Sequence, residues 1–594
     1  MSLSGIVQKT KDEVLKEAEE SIQMFLKDFG PDDIFHDGEF EVSDGTLLWD
    51  PHSSMIHVKD LKTLKNEEVN IYKDTWPFHA EQGQIGDCWL IAAIMVVSRR
   101  RELLEQMIQE NEYTWRHGIF SPYLPFCRLF FNGTWQVVIV DGFFPTLLNS
   151  RQFYFAQMFP TELWINIVEK AVSKLYGGYQ NLENKMAMDA FRMFTGAKCD
   201  VYQIDPKWSN PEVAWETLTK AHASNFLISF STRKKFKPEV YLKNGLLHNH
   251  AYAVLEVSVV NGHRMVLMGN TSWSRWNGKW SKLPAYSEEV TKNWSEKWKK
   301  AMMGRLFWME MNDVWKWFEM VTICRYREGW KELRIDGGGQ KFHRISVSTR
   351  CQLTIELIME DTPWRRDTLY SSFANSPDDV GLICVHRTTA EGKIDDLVVF
   401  HPVGVHICNR NRTEETEPIF LEPGRYIIGY VNLSEGFSKS FKWAIKSPTV
   451  KYINYDSAMR DEGSLAHFSI EKMILKHGKV MQNVREGLNL WEFSSQDFSI
   501  LMVGNSTDGL VTISATVSTV FYYKCKQAMS PESLWDIIGN KNLLRKPVYK
   551  TNRDIQIPAK SNSVIGTMCV ESLYPRFRKK QPITCCCQIE VLNK

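Results

Sequence analysis

The 594-residue chain has no apolar run long enough to cross a bilayer; the longest, such as Trp89 to Val97, falls well short of the roughly 20 residues a membrane helix needs. Charge of one sign is also missing. Lys+Arg 72 against Asp+Glu 70 leaves +2, so no electrostatic footprint for nucleic acid is expected. The 12 cysteines have no framework spacing, which excludes a disulfide scaffold and points to free thiols in a reducing compartment, the cytoplasm. Met1 to Lys11 lacks the charged and apolar regions of a secretory signal. Neither a solenoid repeat nor an EF-hand loop of the form D-x-[DN]-x-[DN]-G-x5-E in the C-terminal part is visible. What is present, 43% apolar and 24% charged residues, is the composition of an ordinary globular protein, and the length corresponds to roughly four domain-sized units.

Near the N-terminus Val14, Leu15, Ala18, Ile22, Phe25, Leu26 and Phe29 recur at three- and four-residue steps, with Gly30-Pro31 as a stop. This predicts an amphipathic helix docked on the next domain. From about 35 to 335 helix and strand patterns mix, and nine of the 21 tryptophans lie between Trp273 and Trp330, a density that reads as aromatic packing between subdomains. After Gly337-Gly338-Gly339 the pattern turns to short strands, Leu353 to Ile358, Val380 to Val385, Leu397 to Phe400 and Tyr426 to Val431, parted by turn residues as in a β-sandwich. Beyond a polar stretch at Asp456 to Ser464 come Phe498 to Val503, Gly509 to Tyr523 and Ile583 to Leu592, read as a second sandwich. Cys585-Cys586-Cys587 reads as strand packing, since neighbours on a strand face opposite ways, and Arg576 to Lys580 as a solvated basic loop.

The most informative segment runs from Gln82-Gly83-Gln84-Ile85-Gly86-Asp87-Cys88 into Trp89-Leu90-Ile91-Ala92, a glycine-bearing turn opening an apolar helix. Cys88 falls at the helix N-terminus, where free amides and the helix dipole favour a thiolate nucleophile. Gln82 is placed to donate its amide to a developing oxyanion. A nucleophile needs a base, and His250, at the mouth of the strand Ala251 to Val260, is the best placed, with His248 a rival by proximity. Asn261-Gly262 is a strong type I′ hairpin signal. Pairing about it sets Asn270 opposite Ala253, so a modest bulge or twist brings Asn270 to His250, giving a Cys-His-Asn constellation with the ring oriented by the amide.

These residues together resemble the calpain family of papain-like cysteine proteases, with its Q-G-x-x-G-D-C-W motif complete from Gln82 to Trp89, His250 in H-A-Y, and Asn270 before a tryptophan. The resemblance continues through Glu162-Leu163-Trp164, Val168-Glu169-Lys170-Ala171, Phe194-Thr195-Gly196, Trp276-Asn277-Gly278-Lys279-Trp280 and Phe307-Trp308-Met309. It implies an α+β fold: a papain-like two-subdomain cysteine protease core followed by two calpain-type β-sandwich domains. The implied layout is an N-terminal helix at 1–34, a Cys-side subdomain at 35–185, a His/Asn-side subdomain at 186–335, and sandwiches at 340–450 and 460–594. Cys88 would be the nucleophile, His250 the base and acid, Asn270 the orienting residue and Gln82 the oxyanion donor.

The chain departs from the family pattern in places. Asn270-Thr271-Ser272-Trp273 has one residue more than the usual Asn-Pro-Trp, Asn249 stands where a glycine is common, and Asn184-Lys185 where paired glycines are. Acids expected to bind calcium are replaced by Arg275, Lys282, Met303-Gly304-Arg305-Leu306 and His79, with Glu162 retained. A hard divalent cation needs several oxygen ligands, so the expectation is no cofactor, or calcium at degraded sites. The function expected is limited proteolysis of cytosolic proteins without the conventional calcium switch, protein substrates being the partners. No EF-hand small subunit is expected, and peripheral membrane or protein contacts through the sandwiches are left open. The alternatives are a catalytically silent scaffold and a papain-like transglutaminase, which Asn270 disfavours because such enzymes use Asp.

Overall fold

The computed structural model describes residues 7–25, 27, 35–40, 53–57, 71–72, 74–108, 125–147, 152–157, 162–204, 210–338, 341–360, 381–403, 411–433, 440–459, 462–495, 498–519, 523–526, 535–537, 548–551, 555–570 and 585–592. They fall into two compact units. One runs from Lys9 to Glu328; the other starts at Gly329 and takes in Val7 and Gln8, which bond to Ile335 and Arg334.

In the first unit the amphipathic helix is Lys11–Phe25, with Ile22 buried. The stop at Gly30-Pro31 and the basic run 576–580 lie outside the described residues. Helix Cys88–Val97 is apolar all round, and every residue from Trp89 to Val97 is buried, as expected of a helix enclosed on all sides. It packs on helix Ala187–Thr195 and on strands Leu227–Ser231 and Ala251–Val260. Those strands belong to a six-stranded antiparallel sheet in the order Cys199–Gln203, Met320–Cys324, Leu227–Ser231, Ala251–Val260, His263–Asn270, Leu306–Glu310. The far face of that sheet holds a core of Phe230, Tyr252, Val266, Phe307 and Val321 with Trp276 and Trp317. The Trp-rich stretch does pack between elements: Trp294 lies 4.5 Å from Trp76 and 5.2 Å from Phe78, and Trp298 4.8 Å from His79.

The second unit is built of two pairs of antiparallel sheets. Strand Lys331–Gly338 opens the first pair by joining Ser440–Ser447, so Leu333 and Ile335 serve the sheet core and Gly337-Gly338 end a strand. A core of Ile335, Leu353, Ile355, Ile383, Tyr426 and Trp443 draws on both sheets of this pair. A second core, Leu490, Val503, Val511, Ile513 and Ile557, fills the other pair. Cys587, on strand Cys585–Val591, packs against it. The sequence reading missed helix Glu462–His477, part of which it took for a polar stretch. Leu465, Ile470, Met473 and Ile474 of this helix share one apolar cluster with Leu382 and Ile427 of the first pair and Phe498 and Ile500 of the second.

Candidate active site

Cys88 is the first residue of its helix, so its own amide has no intrahelical acceptor. The turn before it is held by close backbone approach: a Cβ on Gly83 would stand 2.0 Å from the Phe155 carbonyl oxygen, and Gln84 N–H donates to Tyr154 O at 3.0 Å. Trp89 secures the other side, its Nε1 donating to Leu182 O at 2.6 Å. The expectation of a thiol acidified by the helix N-terminus is not met. Burial is the largest influence and pushes the Cys88 pKa up to about 12; the amides of Ala251, Trp89 and Cys88 lean the other way, and the Asp87 carboxylate adds to the rise. Asp87 is itself fully buried at the helix N-cap, and burial raises its pKa to about 7, an effect that the neighbouring Glu169 carboxyl lessens. Glu169 is raised as well, by burial and by Asp87. Two carboxyls in one dry site cannot both ionise cheaply, so the pair retains a proton near neutral pH.

His250, Asn270 and Thr271 are buried together. The β-bulge lies between Val254 and Glu256; it shifts the hairpin by one residue and sets Asn270 opposite Tyr252 rather than Ala253. The imidazole Nε2 lies 2.8 Å from Asn270 Oδ1, and the Asn270 amide donates to Ser274 O, which fixes which way the side chain faces. Nε2–H therefore donates to Asn270, and Nδ1 is left as the basic nitrogen, with no hydrogen-bond partner among the described residues. The next residue along the strand is Ala251, whose amide faces the Cys88 thiol. Burial lowers the His250 pKa to about 4, the Asn270 bond opposing it, so the imidazole is neutral at neutral pH.

Gln82 is tied to this group by Thr271, which sequence reasoning passed over as an extra residue before the tryptophan. Thr271 Oγ1 donates to Gln82 Oε1 at 2.8 Å and lies 3.2 Å from His250 Nε2, while Gln82 N–H donates to Thr271 O at 2.9 Å. Gln82 Nε2 donates to Ile85 O at 2.6 Å, which leaves its second N–H for a substrate oxygen. The structure thus brings His250, Asn270 and Gln82 into one hydrogen-bonded chain, with Cys88 beside it. His248 instead lies near Tyr241, the two rings tilted by 60° with their centres 6.0 Å apart. Asn249 and Asn184 adopt φ of 50° and 60°, left-handed conformations that glycine favours and asparagine tolerates.

At the positions where the family resemblance would place calcium, cationic side chains and a buried histidine stand in place of acids. The Arg275 guanidinium reaches Ser281 O, and Arg305, fully buried, donates to Phe78 O and to the Glu81 carboxylate. In the other half, the retained Glu162 accepts from Asp74 N at 2.7 Å and stands 3.8 Å from His79 Nδ1, whose pKa burial lowers.

Residues 35–325 match the family model described as calpain family cysteine protease, and through this segment the chain is a member of the calpain family. Among curated relatives, the calpain-type cysteine protease ADL1 of Oryza sativa subsp. japonica is 27% identical over 312 residues, covering 49% of this chain and 14% of that protein. Calpain clp-4 of Caenorhabditis elegans is 26% identical over 348 residues, 56% of this chain and 45% of clp-4. Calpain-5 of Rattus norvegicus is 28% identical over 410 residues, 62% of each chain. In each case the match spans less than two thirds of the relative's length.

Proposed function

We propose that this protein is a calpain-like cysteine endopeptidase making limited cuts in cytosolic proteins, independently of the conventional calcium switch. Cys88 is its nucleophile, His250 its base and acid, Asn270 the residue orienting the ring and Gln82 an oxyanion donor. The observation that carries the reading is the 2.8 Å bond from His250 to Asn270, which turns Nδ1 into the free base beside the strand that faces the thiol. Because thiol and imidazole are both neutral at rest, the proton passes from Sγ to Nδ1 as sulfur attacks the peptide carbonyl carbon. The oxygen that gains charge is met by Gln82 Nε2–H and the Cys88 amide. The C–N bond then breaks as Nδ1 returns the proton to the leaving amine, and water, deprotonated by His250, hydrolyses the thioester. Protein substrates are the expected partners, with peripheral contacts left to the paired sheets and no EF-hand subunit required. Among the described residues no helix is long and apolar enough to cross a membrane.

One observation favours the silent scaffold: the same burial that keeps the pair neutral makes the thiol a weak nucleophile. A peptidyl epoxide separates the two. Labelling at Cys88 in chelator, absent in Cys88→Ala and accompanied by casein cleavage, is the result expected of the protease; no labelling with or without calcium is that of the scaffold.

A further inference from the structure

Helix Glu296–Arg305 ends on Arg305, directly before strand Leu306–Glu310, which pairs with the strand carrying Asn270. The Arg305 side chain does not point to solvent. It is 0% exposed, its Nη1 donates to Phe78 O at 2.5 Å, its Nη2 bonds the Glu81 carboxylate, and its guanidinium lies 4.6 Å from the centre of the Trp273 ring. Trp273 Nε1 in turn donates to the other oxygen of Glu81 at 2.9 Å. Glu81 immediately precedes Gln82, and Trp273 comes three residues after Asn270. One guanidinium therefore fastens the loop that presents Gln82 to the loop that leaves Asn270.

Neighbouring residues serve the same contact. A Cβ on Gly304 would meet the Trp273 ring at 2.6 Å, so glycine there lets the indole lie against the backbone beside Arg305. Trp298 of the same helix packs on Phe78 and His79 at 6.1 and 4.8 Å. A planar fork that meets a carbonyl and a carboxylate while stacking on an indole is a task suited to arginine and not to lysine.

We propose that Arg305 is a built-in cation that takes the place of a bound metal ion, latching the 78–82 loop to Trp273 so that the cleft is assembled without calcium. It is a positioning residue, and its role deepens the protease reading, resting on Cys88 as nucleophile only for its effect on catalysis. The latch itself is a statement about two loops, measurable without turnover.

The test uses the full chain and its Arg305→Ala and Arg305→Lys variants, in chelator and in calcium, with two readouts: amide hydrogen exchange over residues 76–86 and epoxide labelling of Cys88. Expected is slow exchange at 76–86 in the wild type in chelator, unchanged by calcium. Arg305→Ala should exchange there at least about tenfold faster while helix Cys88–Val97 keeps its protection. Millimolar methylguanidine should restore part of that protection and methylammonium should not, and Arg305→Lys should lie between. Cys88 labelling should slow about 100-fold in Arg305→Ala, as expected for a displaced catalytic group, and recover with methylguanidine. Wild-type exchange at 76–86 in Arg305→Ala, or protection in the wild type that appears only with calcium, overturns the latch. If the latch holds by exchange but wild-type Cys88 never labels, the nucleophile reading fails and the latch stands.

Discussion

At the residue scale the chemistry turns on dehydration. Cys88 and His250 are both driven to their neutral forms, with pKa values of about 12 and about 4. A neutral base must remain unprotonated to accept the thiol proton, so the acid limb of Cys88 labelling should fall near pH 4, well below the ordinary histidine value of about 6.5. A limb at pH 6 or above, read from epoxide labelling rates across pH, would mean a wetter cleft than the described packing. Thr271 is the other residue whose worth is testable. Thr271→Val removes the bond to Gln82 while keeping the shape, and kcat should fall about tenfold with KM little changed as the donor loosens. Thr271→Ser should recover most of it.

At the element scale, the hairpin Ala251–Val260 to His263–Asn270 shows how a local signal and a tertiary detail combine. Asn261-Gly262 sets the turn and the strand pattern sets the faces, and both were legible. The bulge near Leu255 that moves Asn270 into reach was legible only as a requirement, because a bulge depends on how the pleat meets its neighbours. Helix Glu462–His477 was illegible for a different reason. Its buried face includes Ser469, which interrupts the apolar pattern and lies 2.8 Å from His386 Nε2, a partner 83 residues away. Ile470, wholly buried in the cluster shared by both sheet pairs, makes the helix testable. Ile470→Ala should cost about 2–5 kcal/mol in a urea titration that tracks the sheet unit.

At the scale of the whole molecule, pH acts on stability through groups that oppose one another. His250 has a lowered pKa in the fold, so its contribution is present above the unfolded value of 6.5 and is lost as pH falls toward about 4. Asp87 has a raised pKa, so the fold binds a proton that the unfolded chain releases, and stability is lost as pH rises from 3.8 through about 7. Between pH 4 and 6.5 the two oppose one another, and Glu169, also raised by burial, adds to the carboxyl side. Above pH 6.5 the His250 contribution is constant while the carboxyl pair still loses its proton, and the thermal midpoint of the Lys9–Glu328 unit should drop by several degrees by pH 8.5. Glu169→Gln offers an amide to the Asp87 carboxylate, and scanning calorimetry should then find that decline flattened. An equally steep decline in the variant would place its origin elsewhere.

What the sequence by itself determined is local or nearly so: the glycine turn that opens helix Cys88–Val97, the histidine at a strand mouth, the hairpin that returns to Asn270, and the alternating strands beyond Leu353. Each arises from short-range backbone chemistry or a two-residue period, and the motif from Gln82 to Trp89 was enough to mark the family. The tertiary structure decided the rest, because it depends on which distant groups share a dry space. Protonation of Cys88, His250 and the Asp87–Glu169 pair is set by desolvation, which no spacing encodes. The meeting of Glu81 and Arg305, 224 residues apart, turns what the sequence shows only as lost acids into a buried cation holding the cleft.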